Sequence, residues 1–170
     1  MGYTSLTDFQ LRRLAKDWKS KMLVEAESGY KLLQTAKASN DFKPLNRIFS
    51  RSLLDSIVLE RRTNLGALKA DWKMHGQLTM EVACIRQQAM GKAVENVIQC
   101  AIRFRSSQSL EVFDGYGKKI GGDHHTPKTV SEYYIVQRET WKPREGWRFV
   151  SKPKEMDPFV FDAKNPTQVL

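Results

Sequence analysis

Asp123-His124-His125 is the first place in this sequence to look for catalysis, set in the polar run Gly121-Gly122-Asp123-His124-His125-Thr126-Pro127. Adjacent histidines on a strand point to opposite faces, so they cannot serve one centre; in a Gly-rich loop they are expected to be exposed. A metal centre needs three or four converging ligands at characteristic spacing. The remaining histidine, His75, stands by itself beside Gly76, and is expected to be structural or exposed. Cys84 and Cys100 fit neither a zinc spacing nor a disulfide framework, which points to a reducing or at least non-secretory compartment. Glu132 and Glu139 fall on one expected strand an odd number of residues apart, so they face opposite sides and cannot act as paired carboxylates. The sequence has no phosphate-cradling Gly-Lys-Ser/Thr loop and no dinucleotide fingerprint; Gly115 and Gly117 are accounted for by a hairpin turn. We therefore expect no catalytic residue, metal or cofactor.

Binding is the chemistry that the composition favours. The 170 residues carry 28 Lys+Arg against 19 Asp+Glu, a net charge of +9. By region the excess is +3 over 1–40, +3 over 41–75, +1 over 76–125 and +2 over 126–170. A charge spread over a folded surface attracts polyanions such as rRNA, DNA or anionic lipid. The candidate binding residues are Arg12, Arg13, Lys16 and Lys19 on a first helix, with Arg103, Arg105, Arg138 and Arg148 on a sheet. The plainer reading of the helix stripe is the solvated side of an amphipathic helix. Tyr133, Tyr134, Trp141, Trp147 and Phe149 alternate with Arg138, Lys142, Arg144 and Arg148, a mixture that could grip RNA. Cross-strand packing explains these aromatics more simply.

The elements that must position these residues follow from hydrophobic period. Thr7 and Gln10 fit a capping box, with Leu6 and Leu11 as its hydrophobic staple. Leu11, Leu14, Trp18, Met22, Ala26, Leu33 and Ala36 continue at helical spacing to about Ala38. A second helix is expected from Pro44 through Leu45, Ile48, Phe49, Leu53, Ile57 and Arg61. Leu65, Leu68 and Trp72 would extend it or form a third helix after Gly66. The period then changes to two. Leu78, Met80, Val82 and Cys84 share one face of a strand, and Val94, Ile98, Cys100, Ile102 and Phe104 share the inward face of the next. Leu110–Phe113 gives a third strand ending in the turn Asp114-Gly115-Tyr116-Gly117; a fourth lies at Glu132–Trp141 and a fifth at Trp147–Ser151. Helices first and a meander second mean an α+β domain, with N-terminal helices packed on one face of a curved antiparallel sheet. Boundaries are expected at 1–6 for a leader, 7–152 for the domain and 153–170 for an extended Pro-containing tail. Met1–Leu6 fits neither a signal peptide nor a myristoylation site, and the prompt helix start suggests a trimmed mature domain. No apolar run reaches the ~18–20 residues that cross a bilayer.

Three segments in order carry a family resemblance: Phe113-Asp114-Gly115-Tyr116-Gly117, Glu132-Tyr133-Tyr134-Ile135-Val136-Gln137-Arg138 and Gly146-Trp147-Arg148-Phe149. Together they resemble the Tim-forty-four-like domain family of mitochondria, in particular its ribosome-receptor branch. The resemblance spans roughly 7–152, with the sharp motifs confined to 113–149. It implies a cone-shaped fold like that of the nuclear-transport-factor-two superfamily. It also implies a matrix protein held peripherally at the inner membrane beside the ribosomal exit tunnel, where it helps hand nascent membrane proteins to the insertase. Its partners would be large-subunit rRNA and proteins, and anionic lipid. Two alternatives are an import-motor subunit binding translocase and chaperone, and a small cone-fold dehydratase or isomerase. The enzyme would need a carboxylate or histidine on the inward strand parity, where Val94, Ile98, Cys100, Ile102 and Phe104 leave an apolar set with one thiol.

Overall fold

The structure of the protein, a computed structural model, describes residues 17–89, 96–142 and 144–153. The capping box and staple around Thr7, the cations Arg12, Arg13 and Lys16, and Val94 lie outside the described residues.

Helix α1, Trp18–Ser39, buries Trp18, Met22, Ala26, Tyr30, Leu33 and Ala36, three or four residues apart, and stops at Asn40 in the left-handed conformation. Gly29 lets it lie close to the sheet, since a Cβ there would sit 2.6 Å from the Phe149 ring. The second helix does not begin at Pro44, which lies in the 3-10 turn Lys43–Leu45. The following residues are drawn to the sheet instead. Phe149 donates its N–H to Ile48 O at 2.7 Å and Ser50 donates to Phe149 O at 2.8 Å, while the Phe49 and Phe149 rings stack at 4.6 Å. Ser50 then caps helix α2, Arg51–Leu65, its hydroxyl accepting from Leu53 N.

Leu65, Leu68 and Trp72 are not a helical stripe. Gly66 ends α2 at φ +55°, a conformation glycine reaches without strain, and strand β1 spans Lys69–Ala89. The second and third expected strands are one, β2, Asn96–Phe113. The polar stretch Ser106–Ser109 continues the pairing, with His75 and Thr129 flanking Ser107. β3 (Lys119–Gly122), β4 (Lys128–Glu139) and β5 (Arg148–Ser151) complete the sheet. Gly121 and Gly122, expected in a polar loop, are the last two residues of β3. The strand forms because Asp114 Oδ1 accepts from the N–H groups of Tyr116 and Lys118, both at 2.9 Å, folding the chain back against β2.

All pairings among these strands are antiparallel, in the order β1-β2-β4-β5 with β3 also on β2, and the sheet is not closed. Since β1 occupies one side of β2 at Leu110–Phe113, β3 lies on the other side, in line with β4. The architecture is thus α+β, two helices packed on a five-stranded antiparallel sheet. Ile98, Cys100, Ile102 and Phe104 share the helix-facing side with Tyr134, Val136 and Phe149. Cys84 does not join Leu78, Met80 and Val82 there. A register shift between Val82 and Cys84 turns it to the other face, beside Ala101 and Ile135.

Candidate functional site

Along β2 the inward residues change from Ile102 and Phe104 to Ser106 and Gln108, so the core opens into a polar end of the sheet. Tyr30, Gln34 and Lys37 come down α1 at helical spacing to meet it, and β4 brings Glu132 opposite Phe104. Tyr30 Oη donates to Glu132 Oε2 at 2.6 Å, Gln34 Nε2 reaches the same oxygen at 3.5 Å, and Lys152 Nζ donates to Oε1 at 3.1 Å. Gln108 Nε2 donates to Tyr30 Oη and Ser106 Oγ, and Trp72 Nε1 donates to Gln108 Oε1. Burial alone would raise the Glu132 carboxyl, but Lys152, the Tyr30 hydroxyl and Lys37 outweigh it and hold the group below its ordinary value. Burial, with Glu132 beside it, pushes the Tyr30 phenol far up. Burial lowers Lys37. The inward parity therefore does contain a carboxylate, a correction to the apolar set expected from β2. Both its oxygens already accept hydrogen bonds, which suits a structural anion better than a general base. Glu132 and Glu139 do face opposite sides, opposite Phe104 and Val97 respectively. A groove of about 630 Å³ beside this network is lined by Lys37, Trp72, Gln108, Val112 and Val130, among others.

His124 is not the free loop residue expected. Its Nδ1 lies 2.6 Å from Ser109 Oγ and its Nε2 3.0 Å from Asp71 Oδ2, while His75 Nε2 is 2.7 Å from the same Ser109 hydroxyl. β3 carries the loop back over β1 and β2, which no local pattern in the sequence announces. His125 is exposed. Among the described residues no group of three or more His, Cys, Asp or Glu is arranged to hold a metal ion.

The candidate cations divide between surfaces. Arg103 and Arg105 are outward on β2, in the rows Glu81–Arg103–Tyr133 and Thr79–Arg105–Ser131. Arg103 Nε donates to Ser131 Oγ at 3.0 Å and Arg105 is exposed. Arg148 is exposed on β5, opposite Gln137 of the same outer face. Arg138 was expected on the solvent parity, yet it pairs with Ile98 and shares the inward side with Tyr134 and Val136. Lys19 is exposed on α1, across the sheet from Arg103 and Arg105. None of these five cations has an ion pair among the described residues, whereas Lys21, Lys31, Arg51, Lys119, Lys142 and Lys152 each do. The aromatic run is mostly core: Tyr134, Trp147 and Phe149 are buried, Trp147 against Trp18 at 5.9 Å. Trp141 remains 37% exposed.

A second groove, about 720 Å³, lies between α1 and the β4–β5 connection and is rimmed by Arg47, Arg144 and Arg148. Arg47 gives no sign of this role in the sequence, because the chain between Lys43 and Ser50 reaches the hairpin only through its contacts with Phe149.

The sequence matches no protein-family model. Among solved structures, the crystal structure of the intermembrane-space region of the chloroplast protein ARC6 is similar over 82% of this chain and 96% of that chain. The identity is 13% and the TM-score 0.41, a likeness too slight to decide family or function.

Proposed function

We propose that this chain is a non-catalytic receptor for the mitochondrial ribosome. In this reading it belongs to the Tim-forty-four-like family and has the cone of the nuclear-transport-factor-two superfamily. It works in the matrix at the inner membrane, peripherally bound through anionic lipid, and supports insertion of nascent membrane proteins. The observation that carries the reading is the outward pair Arg103 and Arg105. Both project from the central strand without an ion pair among the described residues, Arg105 exposed and Arg103 half-buried with its Nε on Ser131 Oγ, among Thr79, Glu81, Ser131 and Tyr133. Cations without counter-ions gain most from a phosphate backbone, because they break no ion pair on binding. The inward carboxylate Glu132, which a dehydratase or isomerase would use, is committed to Tyr30 and Lys152.

Co-sedimentation of the purified protein with mitochondrial ribosomes, and separately with cardiolipin vesicles, across a salt series tests this. Neutralising about four phosphates gives a log–log salt slope of roughly −3, so affinity for ribosomes should fall about 60-fold for a fourfold rise in salt. Arg103→Glu with Arg105→Glu should weaken pelleting while the fold is kept. Absence of ribosome pelleting at every salt concentration, or binding indifferent to salt, refutes the proposal.

A further inference from the structure

Arg47, Arg144 and Arg148 come from separate stretches of chain and meet at one groove. Trp147 forms part of its floor, with its ring stacked on Trp18 and its backbone N–H donated to Glu25 Oε2 at 3.2 Å. The hairpin is thereby fixed to α1, and the arginines project from a rigid base. Two carboxylates share the lining and leave the arginines in the majority: Glu25 accepts from the backbone N–H of Trp147, and Glu145 lies 3.7 Å from Lys142. None of the three arginines has an ion pair among the described residues. Three planar guanidinium groups around one recess match phosphate oxygens, which they can grip in paired hydrogen bonds.

We infer that this groove takes the phosphate backbone of unpaired RNA. This inference rests on the ribosome-receptor reading for its biological partner, but its chemistry is separate. The shape chooses between polyanions. A recess of about 720 Å³ is in the size range of sites that enclose small ligands. A bilayer surface is nearly flat at this scale and meets rims before recesses, whereas a single strand can follow a groove. Of its arginines only Arg148 belongs to the sheet, on the edge strand β5, two strands away from Arg103 and Arg105 on β2.

Fluorescence anisotropy with a labelled oligouridine of about a dozen nucleotides, a length within the range of single-strand binding sites, measures the contact directly. The variant Arg47→Gln/Arg144→Gln/Arg148→Gln changes exposed side chains, and circular dichroism with thermal melting will confirm its fold. It should bind at least about tenfold more weakly at low salt, with a salt slope shallower by about 2, at roughly 0.7 per single-strand phosphate contact. Oligouridine binding by the triple variant equal to that of the parent overturns the inference, as does no oligouridine binding by the parent. A triple variant that loses cardiolipin-vesicle binding but keeps RNA binding also overturns it, in favour of lipid. Ribosome pelleting separates the two proposals. If the parent binds oligouridine through the groove yet never pellets with ribosomes, the groove stands and the receptor reading falls. If the parent pellets in a salt-sensitive way and the triple variant pellets and binds RNA equally well, the receptor stands and the groove falls.

Discussion

Glu132→Ala should destabilise the protein by about 3 kcal/mol. Tyr30 is fully buried, and its hydroxyl would lose the acceptor it holds at 2.6 Å; a stranded buried donor costs about 1–3 kcal/mol. The Lys152 contact adds less, about 0.5–1 kcal/mol, since the lysine side chain is 31% exposed and partly screened. Lys37 would also lose an attractive charge. For a chain of this size each kcal/mol is about 2–4 °C, so the melting temperature should drop by about 6–12 °C. The effect has a pH signature. Glu132 titrates below its ordinary 4.5 in the folded protein. Its contribution is therefore complete above that value and lost as the pH falls through the folded pKa. Urea titrations of parent and Glu132→Ala at neutral pH and at successive steps below pH 4.5 should show the gap closing toward acid. A cycle with Tyr30→Phe should give a coupling of about 1–2 kcal/mol. A variant within about 0.5 kcal/mol of the parent at neutral pH, the margin typical of neutral surface changes, refutes this account of the polar network. So does a gap that is constant with pH.

Other residues test the frame around the sites. Tyr134 Oη is buried with no hydrogen-bond partner among the described residues, so Tyr134→Phe should leave stability unchanged or raise it by up to about 1 kcal/mol in urea unfolding. Arg61 is buried and donates to the carbonyls of Lys37, Gly66 and Leu68, joining the ends of α1 and α2 to the start of β1. Arg61→Met should cost about 3–4 kcal/mol by thermal or urea unfolding, and Arg61→Lys should recover only part of that, because an ammonium cannot span three carbonyls. Gly122 has φ +77°, and a Cβ there would fall 1.8 Å from Leu110 O. Gly122→Ala should detach β3 from β2, seen as faster amide exchange at Lys119–Gly122 and a lower melting temperature.

What the sequence by itself determined is what local period and local chemistry encode. Trp18, Met22, Ala26, Leu33 and Ala36 mark one buried helix side, and Ile98, Cys100, Ile102 and Phe104 one buried strand side. The Asp114–Gly117 turn and the order of helices before strands led to the α+β class, since each depends on residues a few positions apart. Tertiary structure decided whatever depends on residues far apart in the chain. Phe149 drew Phe49 and Ser50 to the sheet edge and delayed α2, at a separation no helical period reveals. The register shift after Val82 reversed the face of Cys84, because one extra residue inverts a period of two. Glu132 became an inward anion because Tyr30 and Lys152 arrive from other elements to hold it. The same limit applies to the binding surfaces. The alternation along β2 already set Arg103 beside Arg105 on the outward face, but only packing turned Arg138 inward and joined Arg47 to the hairpin arginines around one groove.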